Sequence, residues 1–382
     1  MMYPWVKINK GREKSIERFH PWVFSGSVHS AERDLQEGEI VRLVDFEDAF
    51  LAIGHCLSGS LSVKILSFKD IEINQKWFDE CIDEAAKRRI TLNLPSKITD
   101  TYRLVHAEGD GMAGVIIDVY ANVVVIQPHS SGMEQSLVSI VNSLKKIGFT
   151  KILHKPVGKE KTEVLLGEVN ENVLVKENGA KYLVDPIQGQ KTGFFIDQRD
   201  NRHLLRKYAE GKTVLNVFSY TGGFSVSALL GGAKAAWSLD SASNALGICD
   251  ENARLNNVEA KHKSIKADAL PYLQNMQDKF DIIVLDPPAF AKHKSARHSA
   301  IQAYRRINEA AINALENKGL LFTFSCSQVV TQQLFYDAVA SAAINSKRSV
   351  SVLHRLRQPA DHPVSLFHPE GEYLKGMVLR VD

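Results

Sequence analysis

A regular alternation of strand and helix patterns begins at Thr213 and restricts the fold of this chain more than any other feature. The predicted strands are Thr213–Val217, Ala235–Leu239, His262–Ile265, Asp281–Leu285 and Gly319–Phe324. Helical patterns fill the gaps, at Phe224–Leu230, Ala242–Asn256, Ala269–Gln277 and Ala300–Asn317. Strands that are separated by helices pair in parallel, so we predict a doubly wound, Rossmann-like α/β sheet. The elements that complete it are a helix at Thr331–Ser346 and strands at Val350–Gln358 and Lys375–Leu379.

The fourth of these strands leads into the sequence Asp286-Pro-Pro-Ala-Phe290. Proline has no N–H and restricts the residue before it, so the strand stops there and the backbone stays extended. In an open parallel sheet, ligands bind outside the carboxyl ends of the strands. A carboxylate at that place, followed by a stiff turn and an aromatic ring, suits a planar substrate. We interpret this stretch as the target-base pocket of an RNA methyltransferase.

The length of 382 residues suggests about two to three domains. Residues 1–72 contain short apolar runs between glycine and polar clusters, which is the pattern of a small β-barrel. Residues 73–188 combine helical stretches with short strands, and we predict a central α+β domain there. Residues 189–382 carry the alternating pattern and form the third predicted domain.

Composition excludes several classes of protein. The net charge is only +3, so any surface that binds nucleic acid must be local. The cysteines form no Cys-x-x-Cys pair, which argues against a zinc site or a disulfide framework and indicates a reducing compartment. The first residues lack an apolar signal core, and no run approaches the roughly 18 apolar residues of a membrane span. We therefore expect a cytoplasmic protein with no metal site and no membrane contact.

Adjacent glycines, Gly222 and Gly223, follow the first strand of the alternating region. They do not form the G-x-G-x-x-G pattern of a dinucleotide site, and no phosphate-binding lysine motif follows them. We therefore predict a nucleotide-like ligand without a pyrophosphate. The residues expected to contact it after this strand are Phe218, Ser219, Tyr220, Thr221 and Gly222.

Acidic residues follow the next two strands. Asp240, with Ser241 after it, ends the second strand and is placed to bind a ribose diol. Asp268 follows the third strand, and its carboxylate can accept a hydrogen bond from an adenine amino group. Each could instead be a helix N-cap, since each precedes a helix. Recognition of adenosine without recognition of phosphate indicates S-adenosylmethionine as the cofactor.

Cys326 follows the fifth strand, next to the strand that ends at Asp286. A lone cysteine is usually a buried structural residue. Ser325 and Ser327 flank it, however, and a purely buried strand end rarely needs two hydroxyl groups. Beside a methyl donor, a cysteine and an acid suit covalent catalysis at C5 of cytosine, where a thiolate adds at C6 and the acid near N3 stabilises charge on the ring. We predict Cys326 as the nucleophile and Asp286 as the target-base acid, which also borders the cofactor.

Basic residues near the predicted pocket and barrel are candidates for RNA contact. Arg18 precedes Trp22 in the barrel region, a combination that suits a phosphate backbone and a stacked base. Lys292, Lys294 and Arg297 follow the Asp286 motif and are expected on the path of RNA toward the pocket. Either stretch could instead be a solvated basic loop.

Several motifs together resemble those of the PUA-containing bacterial 23S ribosomal RNA (cytosine-C5) methyltransferases, the RlmI type. The motifs that carry the resemblance are Arg18–Gly26, Arg103–Gly111, Lys191–Arg199, Phe218–Phe224, Asp286–Phe290 and Ser325–Ser327. The resemblance spans nearly the whole chain and implies a PUA-like barrel, a class I methyltransferase domain and large-subunit ribosomal RNA as partner. It also implies a soluble cytoplasmic enzyme and leaves a homodimer open.

The resemblance also implies that Cys326 is the nucleophile and Asp286 the target-base acid. It implies that Asp240 and Asp268 bind the cofactor. It adds that the Lys191–Arg199 segment, with Thr192 and Gln198, closes over the methionine end of the cofactor. Many RNA cytosine-C5 methyltransferases carry a second cysteine in an Asp-x-Pro-Cys motif. Here Pro288 and Ala289 stand at that place, so the resemblance does not imply that a second cysteine releases the product.

Two other functions compete with this interpretation. The first is an RNA methyltransferase of different regiochemistry, at guanine N7 or N2 or adenine N6, because Asp-Pro-Pro-aromatic motifs also serve amino-group methylation without a cysteine. The second is a non-catalytic RNA-binding factor of ribosome assembly. An NAD-dependent oxidoreductase is disfavoured because the glycine register is missing.

Overall fold

The structure, a computed structural model, describes residues 3–158, 160–291 and 293–382. The chain divides into two compact units. The first extends to Val175 and includes Val184–Ile196 and Ala360–Gly371. The second contains Lys176–Leu183, Asp197–Pro359 and Glu372–Asp382. Within the described ranges, no helix is both long enough and apolar enough to span a membrane.

The strands, in chain order, are β1 (Trp5–Ile8), β2 (Trp22–Phe24), β3 (Val28–Ala31), β4 (Ile40–Val44), β5 (Phe50–Cys56), β6 (Leu61–Ser67), β7 (Thr101–His106), β8 (Val115–Tyr120), β9 (Val123–Pro128), β10 (Lys151–His154), β11 (Glu163–Leu166), β12 (Val173–Glu177), β13 (Ala180–Val184), β14 (Thr213–Val217), β15 (Ala235–Asp240), β16 (His262–Lys266), β17 (Phe280–Leu285), β18 (Leu315–Ser325), β19 (Val350–Leu356) and β20 (Lys375–Val381).

The α-helices are α1 (Lys14–Glu17), α2 (Gln75–Thr91), α3 (Ser131–Gln135), α4 (Leu137–Lys146), α5 (Arg199–Tyr208), α6 (Gly223–Leu230), α7 (Ser243–Leu255), α8 (Ala269–Asn275), α9 (Arg297–Ala314) and α10 (Gln332–Asn345). Short 3-10 turns lie at Ser25–Ser27, Ala107–Asp110, Ile196–Gln198, Glu259–Lys261, Lys294–Ala296 and Pro369–Gly371.

The first unit contains two sheets. One has six strands in the order β2-β6-β5-β4-β1-β3, and the other has five in the order β11-β10-β9-β8-β7. Apolar side chains of the six-stranded sheet form their own core, which includes Ile8, Val41 and Leu43. Phe78 and Ile82 lie four residues apart on one stripe of α2 and bury against the five-stranded sheet, as helical spacing dictates.

A buried network of ion pairs fixes the turn that follows β7. Arg89 donates two hydrogen bonds of 2.6 Å to Asp110, and Arg103 donates to both carboxylate oxygens of Asp118 at 2.8 and 2.9 Å. Asp361, far along the chain, accepts from the Arg103 backbone N–H at 2.9 Å. Burial of a charge is costly unless the charge is paired and hydrogen-bonded, and these groups meet that condition.

The second unit contains a seven-stranded sheet in the order β16-β15-β14-β17-β18-β20-β19. The strands β14 to β18 are parallel, which confirms the predicted doubly wound sheet. The last two strands differ from the simple parallel pattern, because β20 is antiparallel to both β18 and β19. Antiparallel strands at the edge of an otherwise parallel sheet are common in such folds.

Helices cover both faces of this sheet. On one face, Leu215 and Ile283 pack in a core with residues of α9 and α10. On the other face, Val214 and Ile282 pack with residues of α5 and α6. Neighbouring residues of one strand enter opposite cores, which explains why these strands read as continuous apolar runs. The prediction placed the start of β18 at Gly319, but the strand begins at Leu315, which pairs with Phe280.

Candidate active site

The carboxyl ends of the parallel strands bring the predicted ligand-binding residues to one edge of the sheet. The strand order changes direction at β14 and β17, with β15 and β16 on one side and β18 on the other. Val217 pairs with both Leu239 and Leu285, so the residues that follow these positions lie in one row. Ligands of open α/β sheets bind in the crevice at such a point.

The loop that follows β14 has a strained backbone. Phe218 and Tyr220 have positive φ angles of 62° and 47°, and Gly222 follows with a φ of 79°. A positive φ outside glycine costs of order 1–3 kcal/mol and persists only where the surroundings impose it. Here the Tyr220 backbone N–H donates to the Asp240 carboxylate at 2.9 Å, which ties the loop to β15. Strain of this kind concentrates at ligand-binding sites.

Gly222 meets a steric requirement as well as a conformational one. A Cβ at this position would lie 2.2 Å from Sγ of Cys249 on α7. Burial raises the pKa of the Cys249 thiol to about 12, so the thiol is neutral. It lies 3.3 Å from the Ser238 hydroxyl and 3.4 Å from His262 Nε2. Cys249 is therefore a packing residue that sets how closely the loop approaches α7.

Two hydroxyl groups of this loop are buried without a partner. Ser219 Oγ and Thr221 Oγ1 have no hydrogen-bond partner among the residues that the structure describes. A buried polar group that makes no hydrogen bond costs about 1–3 kcal/mol. Such groups at the carboxyl edge of a sheet are suited to a polar ligand.

The Asp240 carboxylate is oriented by the backbone. It accepts hydrogen bonds from Tyr220 N–H and from Ala242 N–H, both at 2.9 Å. An ionised carboxylate has about four acceptor sites, so capacity remains for the hydroxyl groups of a ribose. The adjacent Ser241 is exposed. The structure thus places Asp240 and Ser241 at the strand end where the sequence predicts them.

Asp268 stands at the N-cap position of α8, yet its side chain makes no capping hydrogen bond. An aspartate at this position is usually explained by the cap it provides. That explanation does not apply here, because the carboxylate is exposed and makes no hydrogen bond to the first N–H groups of the helix. Its acceptor capacity is available to a ligand at the end of β16.

These residues fit the adenosine part of S-adenosylmethionine. Asp240 would hold the ribose hydroxyls, and Asp268 would accept from the adenine amino group. The unpartnered hydroxyls of Ser219 and Thr221 supply further polar contacts, and Gly222 permits a close approach of the backbone. The residues described at this edge form no cluster of acids, histidines or cysteines that could hold a metal ion.

Cys326 and Asp286 come from neighbouring parallel strands. Leu285, the last residue of β17, pairs with Thr323 of β18. Sγ of Cys326 lies 4.0 Å from the carbonyl oxygen of Pro287, and both Cys326 and Asp286 are partly buried. The structure therefore brings together the thiol and the acid that the sequence predicts as a pair.

Tyr304 on α9 ties the strand of Cys326 to the turn that carries Asp286. The Ser325 hydroxyl donates to Oη of Tyr304 at 2.9 Å. The Tyr304 ring contacts the Phe290 ring, with centroids 4.8 Å apart. Phe290 is thus held by packing on α9, and the hydroxyl of Ser325 has a structural partner. Sequence reasoning did not identify Tyr304, because its partners are distant in the chain.

The second serine makes a similar connection. Oγ of Ser327 donates to the carbonyl oxygen of Ala291 at 2.7 Å, and the Ser327 carbonyl accepts from Nζ of Lys375 at 2.7 Å. Lys375 is the first residue of β20 and pairs with Ser325. Lys375 was also missed from the sequence, where the Ser-Cys-Ser hydroxyls were the only local signal.

The two residues expected near the methionine end of the cofactor belong to different units. Thr192 lies in the first unit, where its hydroxyl donates to Asp118 at 2.6 Å and is 2.8 Å from Oη of Tyr120. Gln198 lies in the second unit, where its Oε1 accepts from Asn201 at 2.6 Å. Both side chains are buried, and their contact with the cofactor stays a prediction.

Trp22 has defined partners in the first unit. Its Nε1 donates to Glu108 at 2.9 Å, and its ring lies 4.3 Å from the His368 ring. The indole is only partly exposed. A base could therefore stack on part of this ring at most, and Trp22 as an RNA contact stays a prediction.

An exposed aromatic pair lies beside Arg18, which is itself exposed. Phe19 adopts a positive φ of 64° and is 49% exposed. Its ring centroid lies 5.3 Å from that of Phe367, which is 52% exposed, and both border a cleft of about 390 Å³. Sequence reasoning named the neighbouring Trp22 and missed these two rings, which present more surface to solvent.

The predicted basic residues after the Asp286 motif are at the surface. Lys294 lies in a 3-10 turn, and Arg297 is the first residue of α9. Both side chains are exposed. Lys292, also predicted to contact RNA, lies outside the described residues.

Comparisons with known proteins agree with this geometry. A family model described as S-adenosylmethionine-dependent methyltransferase matches residues 137–374, and a model described as PUA-like domain matches residues 6–68. The chain is 39% identical over 388 residues to the ribosomal RNA large subunit methyltransferase I of Escherichia coli O139:H28, covering 97% of this chain and 98% of the relative. A relative of the same name from Shigella boydii serotype 18 is 40% identical over 97% of this chain and 98% of its own.

Solved structures have the same fold over the whole chain. A Streptococcus mutans protein assigned as a SAM-dependent methyltransferase matches with a TM-score of 0.87 and 26% identity, covering 100% of both chains. A crystal structure of a protein likewise assigned as a methyltransferase, complexed with SAH, matches with a TM-score of 0.88 and 28% identity at 100% coverage of both. The predicted fold, PUA-like domain and cofactor are confirmed. The chain belongs to the S-adenosylmethionine-dependent methyltransferases, in the family of ribosomal RNA large subunit methyltransferase I.

Proposed function

We propose that this protein transfers a methyl group to C5 of a cytosine in 23S ribosomal RNA through a covalent bond between Cys326 and C6. The names of the relatives that are 39% and 40% identical support ribosomal RNA of the large subunit as the substrate. The observation that carries the regiochemistry is the position of Cys326, one strand from Asp286 and with Sγ 4.0 Å from the Pro287 carbonyl oxygen.

The chemistry explains why a thiol is needed at this place. S-adenosylmethionine supplies an electrophilic methyl group on a sulfonium sulfur. Cytosine C5 is a poor nucleophile on its own. When the Cys326 thiolate adds at C6, the carbon–sulfur bond forms and the electrons of the C5–C6 double bond move toward C5 and the ring, which makes C5 nucleophilic. Asp286 in its protonated form donates a hydrogen bond to N3, which stabilises the electron density that this addition places on the ring.

Release of the product reverses the addition. A base removes the proton from C5, the C5–C6 double bond forms again, and the bond between C6 and Sγ breaks to return the thiolate of Cys326. The Asp286 turn carries Pro288 and Ala289 rather than a second cysteine. We therefore infer a mechanism in which one cysteine both adds to the base and leaves it.

Basic and aromatic residues would guide the RNA. In this proposal Lys294 and Arg297, together with Lys292, contact phosphates next to the target nucleotide. In the PUA-like domain, Arg18 contacts the sugar-phosphate backbone of the RNA, and Trp22 contributes to RNA binding. Contacts with phosphate position an RNA without reading its sequence.

The decisive experiment uses Cys326→Ala with unmethylated large-subunit ribosomal RNA and labelled S-adenosylmethionine. We expect no 5-methylcytidine after digestion to nucleosides, while binding of S-adenosylhomocysteine stays within error of the wild type. Cys81→Ala is the matched control, because Cys81 is a partly buried thiol on α2 and has no role in the proposal. Wild-type activity in Cys326→Ala would overturn the C5 mechanism.

A second experiment tests the covalent bond directly. RNA that carries 5-fluorocytosine is incubated with S-adenosylmethionine; after methyl transfer, fluorine stands where the proton must leave, so the adduct at C6 cannot be resolved. Wild type and Cys81→Ala should give a protein–RNA complex that survives denaturing electrophoresis, and Cys326→Ala should give none. Methylation at guanine N7 or N2 or adenine N6, with no trapped complex, would instead support the amino-group or N7 alternative.

A further inference from the structure

Lys375 places a buried positive charge next to the proposed nucleophile. Its side chain is only 7% exposed. Nζ donates to the carbonyl oxygen of Ser327 at 2.7 Å, and Lys375 pairs across the strands with Ser325. The residues before and after Cys326 are therefore both in contact with Lys375.

The ammonium group has no anionic partner at ion-pair distance among the described residues; its hydrogen bond goes to a neutral carbonyl. A buried charge that lacks an opposite charge is costly, and buried charges in proteins are normally paired. Burial lowers the pKa of Lys375, while Cys326 and, more weakly, Glu372 raise it. Since Lys375 also contacts the residues on both sides of Cys326, an ionised Cys326 is the candidate for its counter-charge.

The thiol needs such a partner because of its other neighbours. Burial raises the pKa of Tyr304, and Cys326 and Asp286 raise it further, so both groups lie near the same phenol oxygen. A carboxylate beside a thiol disfavours the thiolate. A cation on the opposite side, on β20, would offset this effect, as neighbouring lysines do for other reactive cysteines.

We propose that Lys375 is a positioning residue for the nucleophile and that its ammonium group stabilises the thiolate of Cys326. The groups that face this pair are Glu372 beside Lys375, Asp286 on the β17 side and Tyr304 on α9. The charges of these groups also affect the ionisation of Cys326 and Lys375. The inference deepens the proposed function and rests on it for its catalytic meaning.

The test measures alkylation of Cys326 by iodoacetamide as a function of pH, with each cysteine quantified separately by mass spectrometry. In Lys375→Met the rate at pH 7 should fall about tenfold or more, as a rise of one unit in the thiol pKa requires. Lys375→Arg keeps the charge and should retain most of the rate. Cys56 and Cys81 are controls in the same molecule, and their rates should not change. An unchanged pH profile for Cys326 in folded Lys375→Met would overturn the proposal.

A reciprocal measurement needs no substitution and covers the case in which Lys375→Met fails to fold. In the wild type, blocking Cys326 with iodoacetamide removes the negative charge, so Lys375 should lose its proton more easily and react faster with acetic anhydride. Iodoacetate leaves a negative group on Cys326 and should not give this increase. Equal acylation of Lys375 after the two treatments would contradict the proposed pair.

These measurements need neither RNA nor cofactor, so the two proposals can fail separately. If the reactivity of Cys326 depends on Lys375 but the Cys326→Ala variant stays active, the C5 mechanism is wrong and the pairing of Lys375 with Cys326 still holds. If the Cys326→Ala variant is inactive but the reactivity of Cys326 in the alkylation experiment does not depend on Lys375, only the proposed pairing is wrong.

Discussion

Ser327 donates a hydrogen bond of 2.7 Å to the carbonyl oxygen of Ala291. This bond joins the residue after Cys326 to the residue after Phe290, across the neighbouring strands β18 and β17. The separation of the proposed thiol from the Asp286 turn therefore depends on a hydroxyl outside both reacting groups.

Loss of this hydroxyl should impair catalysis more than stability. Ser327→Ala removes one buried hydrogen bond, worth about 1 kcal/mol of folding free energy. A shift of about 1 Å between thiol and base can cost up to roughly 100-fold in rate, so we expect kcat to fall between about 10- and 100-fold. Ser346→Ala is a matched control, since Ser346 Oγ donates to Ala342 at the end of α10. Equal kcat values in both variants would contradict the positional role.

Substitution of Asp268 distinguishes two roles of its carboxylate, binding of the cofactor and capping of α8. Since its side chain makes no capping bond, Asp268→Ala should leave the thermal midpoint almost unchanged. We expect its affinity for S-adenosylmethionine to fall about tenfold, the loss of one hydrogen bond to a charged group. Thr331→Ala is the converse control, because Thr331 caps α10 by accepting from Leu334 N–H at 3.3 Å. That variant should lose about 1 kcal/mol of stability and keep its affinity. Calorimetric titration and thermal denaturation of both variants measure the two effects.

The loop after β14 makes a prediction about Gly222. Gly222→Ala introduces both an unfavourable positive φ and a clash with Sγ of Cys249, so cofactor affinity and stability should both decline. Adding Cys249→Ala removes the 2.2 Å contact and leaves a contact of 3.2 Å with Cβ of residue 249 together with the backbone strain, about 1–2 kcal/mol. The double variant should therefore bind S-adenosylmethionine more tightly than Gly222→Ala alone. If the losses of cofactor affinity from the two substitutions simply add in the double-mutant cycle, the Cys249 thiol is not what excludes a side chain at position 222.

The sequence predicted the sheet and its ligand edge well because both follow from local patterns. Apolar runs alternated with amphipathic stretches, and the residues after the strands fell at one edge, as Asp240, Asp286 and Cys326 do. Boundaries were less accurate where one residue satisfies two patterns. Leu315 suits the apolar face of α9, and it is instead the buried first residue of β18.

The rest of the site depends on contacts between residues that are remote in the chain. Asp361 bonds to Arg103 across 258 positions, and Lys375 bonds to Ser327 across 48. No periodicity in a single sequence reports such pairs. The antiparallel direction of β20 is also a result of the tertiary fold, and it is this direction that brings Lys375 to the end of β18.

Buried histidines predict acid sensitivity in the first unit. Burial, aided by Lys64, lowers the pKa of His55 from 6.5 to about 4. Above pH 6.5 the imidazole is neutral in both states, so no stability is lost. As the pH falls from 6.5 toward 4, the unfolded chain binds a proton that the folded chain does not, and stability drops by up to about 3 kcal/mol. His55→Gln should make the thermal midpoint fall less between pH 7 and pH 5 than it does in the wild type. Parallel pH profiles for the two proteins would exclude His55 as a cause.

The surface charges at the start of α9 lead to a prediction about RNA affinity. If Lys294 and Arg297 neutralise phosphates, RNA binding releases counterions, and the logarithm of affinity falls linearly with the logarithm of salt concentration. Lys294→Ala and Arg297→Ala should each weaken binding and reduce the magnitude of that slope by up to about 1. Lys261→Ala is the matched control, because this exposed lysine precedes β16, at the amino edge of the sheet. Filter binding of large-subunit ribosomal RNA over a range of salt concentrations gives the slopes. A slope that changes as much in Lys261→Ala as at α9 would remove this helix end from the RNA path.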